Sequence, residues 1–134
     1  SMAHKTGAAF STGHIPHGCA NAIYLPYVIA YNAKDPVAAS RYAEIARRMG
    51  LAGTSEKALI NSLREKIQEF NRKLNIPATL KEFGIDETEF KEKLANIAEL
   101  AVGDACTGSN PRAIDPDTMA KLLTCTYYGT EVDF

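Results

Sequence analysis

Between residues 17 and 32 the chain is apolar on nearly every side of a would-be helix. Ala20, Ala22, Ile23, Leu25, Val28 and Ile29 leave little polar face to turn toward water. A helix apolar all round is buried all round, so the rest of the chain has to wrap it. Pro26 lies inside this segment and brings no backbone N–H, which predicts a kink or a local break. A strand over residues 23–31 is the alternative, because β-branched and aromatic side chains are frequent there. The length of the segment and its alanines favour the helix.

Helix punctuation fills the remainder. Asp35-Pro36 places a capping acceptor before a proline at the first helical position. The helix that follows carries Val37, Tyr42, Ile45, Ala46 and Met49, has Arg47 and Arg48 in its last turn, and stops at Gly50. Thr54 or Ser55 opens the next helix. There Leu59, Leu63, Ile67, Phe70 and Leu74 form one stripe at helical period, and Asn75-Ile76-Pro77 closes it. Residues 79–83 read as a short helical turn closed by Gly84. Asp86 and Glu89 read as a capping box ahead of a stripe of Phe90, Leu94, Ile97 and Ala101 that ends at Gly103. Residues 106–111 read as a loop. Asp115-Pro116 starts a last helix carrying Met119, Leu122, Leu123 and Tyr127, which Gly129 stops. Gly7, Gly13, Pro16 and Gly18 interrupt any earlier helix. With no long alternating pattern present, the expected fold is an all-α bundle of about six or seven helices around one central helix.

The composition excludes several roles. The chain has 134 residues, 15 Lys plus Arg against 16 Asp plus Glu, and a formal net charge of -1. That balance offers no broad electrostatic surface for nucleic acid or an anionic membrane. No apolar run approaches the roughly 20 residues of a bilayer span, and the N-terminal residues lack a signal-peptide core. Cys19, Cys106 and Cys125 form neither a CxxC pair nor a zinc framework, so they read as reduced thiols of a cytoplasmic protein. The glycines do not have the spacing of a dinucleotide fingerprint.

All three histidines, His4, His14 and His17, fall in the first seventeen positions. Clustered imidazoles beside a buried helix suggest a metal or proton-transfer site. His17 is the strongest candidate, because Pro16-His17-Gly18 sets a rigid turn directly before that helix. His14 reads as a surface group. No carboxylate lies before Asp35, so the set looks like part of a site whose other ligands lie elsewhere. Cys19 and Cys125 read as packed thiols, Cys106 as a more exposed one, and Arg112 as a residue that caps and orients neighbouring helix ends. Tyr24, Tyr27, Tyr31 and Tyr42 read as core and interface rings.

Met2-Ala3-His4-Lys5, Gly13-His14-Ile15-Pro16-His17-Gly18-Cys19-Ala20-Asn21-Ala22 and Leu25-Pro26-Tyr27-Val28 resemble the iron-containing (group III) alcohol dehydrogenases. The likeness continues through Arg41-Tyr42-Ala43-Glu44-Ile45-Ala46, Leu74-Asn75-Ile76-Pro77 and Cys106-Thr107-Gly108-Ser109-Asn110-Pro111-Arg112. It covers essentially the whole chain. The resemblance implies that residues 1–134 are the helical, metal-binding C-terminal half of such an enzyme, without its N-terminal nucleotide-binding half. It further implies iron(II), with zinc as an alternative, and NAD or NADP as the hydride carrier. His17 matches a metal ligand. His4 matches a histidine beside the substrate that relays protons, and Cys106 a loop bordering the substrate pocket. Residues 11–13 lengthen the interval between His4 and His17 relative to some members. The reaction implied is the interconversion of a small alcohol with an aldehyde or ketone, and the isolated chain is expected to be inactive. The face around His17 and Cys106 is expected to meet the missing half or to self-associate, making the chain a homo-oligomer. The other readings of the residues are a free-standing helical interaction module and a metal-binding protein that uses His4, His14 and His17.

Overall fold

The computed structural model describes residues 1–7, 9–11 and 14–134; Thr12 and Gly13, in the lengthened 11–13 stretch, lie outside that set. Among the described residues there are helices and no strands, as the punctuation predicts. They are α1 (Met2–Thr6), α2 (His17–Asn32), α3 (Pro36–Arg48), α4 (Glu56–Lys73), α5 (Leu80–Phe83), α6 (Glu87–Val102) and α7 (Pro116–Tyr128), with a 3-10 turn at Ala105–Ser109. None of the helices is long and apolar enough to cross a membrane.

The predicted caps are in place. Asp35, Ser55, Thr79, Asp86 and Asp115 each accept a hydrogen bond from the backbone N–H three residues on. Gly84 and Gly129 end α5 and α7 in the left-handed conformation, with φ of 112° and 76°, which only glycine adopts without strain. The Glu89 carboxylate binds the Ser11 backbone N–H and hydroxyl and the Lys93 ammonium.

α2 is the central helix, in contact with α1, α3, α4 and α7. It runs unbroken through Pro26, so the expected break does not occur. The reason lies in α4. A proline at position 26 cannot donate to the Ala22 carbonyl four residues back. Asn71 supplies the missing donor, its Nδ2 lying 2.9 Å from that oxygen. Arg64 donates from Nε to the Pro26 carbonyl at 3.0 Å. The two residues are seven apart, close to two helical turns, so both project from one side of α4 onto α2.

This arrangement corrects the single-stripe reading of α4. Leu59, Ile60 and Leu63 are buried, but Phe70 and Leu74 are 45% and 69% exposed, and the inward position in that part of the helix belongs to Asn71. α3 differs in a similar way. Its buried residues are Ala38, Ala39, Ala43 and Ala46, whereas Val37, Ile45 and Met49 face water. The small side chains let α3 lie close against α4, and Ala39, Ala43 and Ala46 form a core of their own with Ile29, Leu59, Ile60 and Leu63. The larger core joins α1, α2, α6 and α7 through Ile15, Ile23, Tyr24, Phe90, Leu123 and Tyr127.

The C-terminal end of α2 is tied down by the 110–112 segment. Arg112 stacks its guanidinium 4.0 Å over the Tyr31 ring and donates to the Tyr31 and Phe134 backbone oxygens. Asn110 and Asn32 exchange amide hydrogen bonds of 2.8 and 3.0 Å. Arg112 therefore orients a helix end, the role its loop position implies.

Asn71→Ala is expected to destabilise the protein by about 1 kcal/mol, since it leaves a partly buried carbonyl without its donor. Placed on a Pro26→Ala background, which returns a backbone N–H to Ala22, the same substitution is expected to cost clearly less. Urea denaturation followed by circular dichroism measures both arms of this cycle; equal costs in the two backgrounds would refute the repair.

Candidate functional site

The early glycines do not prevent a short first helix. α1 occupies residues 2–6 and carries His4, a correction to the sequence reading. It is held from below. The buried Thr6 hydroxyl donates to the Met2 carbonyl at 2.9 Å, and the Tyr24 hydroxyl of α2 donates to Thr6 at 2.9 Å. Burial pushes the Tyr24 phenol far above its ordinary range, so it stays a proton donor. The Ile15 N–H closes the segment by donating to the Gly7 carbonyl at 2.9 Å.

These anchors bring His4 onto His17, the first residue of α2. The two imidazoles stack with centroids 4.9 Å apart and planes 14° from parallel. Both rings are exposed at the surface. Among the described residues no hydrogen bond ties the His17 ring nitrogens, so they are available to a metal ion.

A third segment completes the cluster. Residues 106–111, read as a loop, begin in the 3-10 turn that Asp104 caps. Asp104 accepts from the Cys106 backbone N–H at 2.9 Å through Oδ1, and its Oδ2 lies 3.1 Å from His4 Nδ1 and 3.7 Å from Lys5 Nζ. The Cys106 amide first, and His4 second, hold the Asp104 carboxyl well below the usual carboxylate range. Ligand atoms of His4, Asp104 and Cys106 all fall within 4.8 Å of one another. Among the described residues this trio, and not the three histidines, is the compact group; His14 is exposed and takes no part.

Cys106 also lines a cavity of about 380 Å³ between α2, α7 and the 3-10 turn, with Tyr24, Leu25, Val28, Met119 and Leu122 among its walls. Cys125 is buried, and burial raises the Cys19 thiol. The sequence reading missed Asp104. It lies a hundred residues from His4, and the one local signal it gives is a capping aspartate after Gly103.

Residues 1–127 match the sequence profile described as the Fe-containing alcohol dehydrogenase family, C-terminal. The chain belongs to that family. It is 59% identical, over all 134 residues, to the NADPH-dependent butanol dehydrogenase of Clostridium saccharobutylicum, of which it covers 33%. It is 38% identical over 146 aligned residues to a bifunctional aldehyde-alcohol dehydrogenase of Escherichia coli (strain K12), covering 98% of this chain and 16% of that protein. The solved structure of the iron-containing alcohol dehydrogenase from Thermococcus thioreducens superimposes with a TM-score of 0.78 at 33% identity. That match covers 96% of this chain and 31% of that one. The chain thus spans a third or less of the length of these family members.

The Asp104 carboxylate makes a pH-dependent contribution of predictable sign. Its folded-state pKa lies below the ordinary 3.8, so the stability it adds is fully present above that value and is lost as pH falls below it. The stability difference between the wild type and Asp104→Leu is therefore expected to be constant near neutrality and to shrink below about pH 4. Urea midpoints measured across that range provide the check.

Proposed function

We propose that this chain is the metal-holding helical part of an NAD(P)-linked alcohol dehydrogenase that interconverts a small alcohol with its aldehyde or ketone. The observation that carries the reading is the His4–His17 stack at the start of the buried helix, beside the Cys106 turn and the apolar cavity. The family and the name of the butanol dehydrogenase relative support the reaction class and the nicotinamide cofactor.

The residues fit a partial metal site. His17 offers an exposed imidazole on a rigid helix start, and a neutral ring nitrogen suits iron(II) or zinc. One histidine does not make a site, so the remaining ligands belong to a part of the enzyme outside these residues. When bound, the metal supplies Lewis acidity that makes the alcohol hydroxyl more acidic.

The chain's own groups do the rest. His4 would accept the hydroxyl proton of the alcohol, while NAD(P)+, when bound, would supply the acceptor for the hydride that leaves the alcohol carbon as its bond to oxygen becomes a carbonyl. The apolar cavity walls hold the alkyl part of the substrate and exclude water from it.

In the complete enzyme, His17→Ala is expected to lose bound iron and to lower activity by more than the roughly 10–100-fold typical of a supporting residue. His4→Ala is expected to keep the iron and lose turnover. Metal analysis beside an assay of alcohol-dependent NAD(P)+ reduction separates the two. A His17→Ala enzyme that retains both iron and activity would sink the proposal, and so would turnover by the 134-residue chain alone.

A further inference from the structure

The Asp104 carboxylate takes no proton or hydride in that reaction, yet it is held by the Cys106 N–H and faces His4 and Lys5. We infer that Asp104 is a positioning residue for His4, accepting the Nδ1 proton and thereby leaving Nε2 as the ring's proton-accepting atom. The inference rests on the dehydrogenase reading for its catalytic consequence, but not for its geometry.

Three observations carry it. First, the carboxylate cannot swing. Oδ1 is fixed by the Cys106 backbone N–H at 2.9 Å, while Oδ2 sits 3.1 Å from His4 Nδ1. Second, exposure is asymmetric. The Asp104 side chain is 10% exposed and the His4 side chain 45%, so the acid is shielded while the ring it holds reaches the surface. Third, the groups that face the acid are donors or cations, the Cys106 backbone N–H at 2.9 Å and Lys5 Nζ at 3.7 Å, which suit an ionised carboxylate. An ionised carboxylate can only accept. His4 Nδ1 must therefore be the donor, and in the neutral ring the lone pair then resides on Nε2.

The rest of the cluster agrees. His17 lies flat against His4 at 4.9 Å, so the second imidazole restricts the ring's tilt while Asp104 fixes its rotation. Thr6 and Tyr24 hold α1 beneath it. The ring has one orientation and one tautomer, the condition a group needs to accept a proton at a defined atom.

The test turns on replacing Asp104 without losing the cap. Asp104→Asn keeps an oxygen for the Cys106 N–H but presents an amide N–H₂ to His4 Nδ1. Asp104→Ser keeps a capping oxygen on an arm too short to reach the ring. Nitrogen-15 NMR of the His4 ring in the labelled 134-residue chain is expected to show the Nδ1–H tautomer in the wild type. In both variants it is expected to show a shift toward Nε2–H. In the complete enzyme, kcat is expected to fall about 10–100-fold with KM little changed. A residue that merely caps the turn would leave tautomer and kcat as in the wild type in both variants, and that result overturns the inference. If the wild-type enzyme shows no alcohol-dependent NAD(P)+ reduction, the dehydrogenase reading fails, while the tautomer measurement still decides whether Asp104 positions His4.

Discussion

A proline in the middle of the central helix leaves a partly buried carbonyl without its usual donor, although the helix is not apolar-sealed all round as its sequence suggests: Leu25 is 44% exposed and Asn21 faces water. Left alone, the Ala22 carbonyl would be a partly buried acceptor without a protein donor. α4 removes the problem from outside by presenting Asn71 and Arg64 to the two carbonyls around Pro26. The repair lets α2 run continuously from His17 to Asn32, and everything else is arranged along that rod. Its first residue enters the candidate site and its last turn is clamped by Arg112 and Asn110. Along α4 the apolar contacts come first, with Leu59, Ile60 and Leu63 packed around Ile29, and in the later turns Asn71 takes the inward position while Phe70 faces solvent.

The site is assembled from segments far apart in sequence, each with its own anchor in the core. α1 stands on the Tyr24–Thr6 hydrogen bond. The 3-10 turn is capped by Asp104 and stitched to α6 through the Thr107 hydroxyl, which donates to the Ala101 carbonyl. α2 brings His17 from a start flanked by the buried Ile15 and Ala20. The groups that would meet a metal or substrate are exposed, while the groups that place them are largely buried, so the reactive rings inherit the rigidity of the interior.

Much of this was legible in the sequence, for reasons that can be named. α2 to α7 announce themselves through caps and stops whose chemistry is local. An aspartate before a proline, or a glycine after an apolar stripe, needs no tertiary partner to act. The place of His17 at the start of the central helix was legible as well, because Pro16 before it restricts the backbone. What could not be read depends on partners distant in the chain. The alanine face of α3 is chosen by its closeness to α4, and hydrophobicity ranks Ile45 above Ala43 although only Ala43 is buried. α1 is too short to show a period, and its glycine-rich surroundings argue against it until Tyr24 is in place. The link from Asp104 to His4 leaves no trace in spacing at all.

The position of Asp104 has a consequence for how charge is distributed. The first thirty-four residues contain no carboxylate, so the histidine segment taken alone is a set of imidazoles with nothing to set their tautomers. By capping the 3-10 turn, Asp104 brings a negative charge to His4 while leaving His17 untouched. Two imidazoles less than 5 Å apart thereby acquire different chemical characters, one with its Nδ1 proton engaged and the other with its nitrogens uncommitted. That division is what a metal-ligand histidine next to a proton-accepting histidine requires, and it comes from a single carboxylate whose local task is to start a turn.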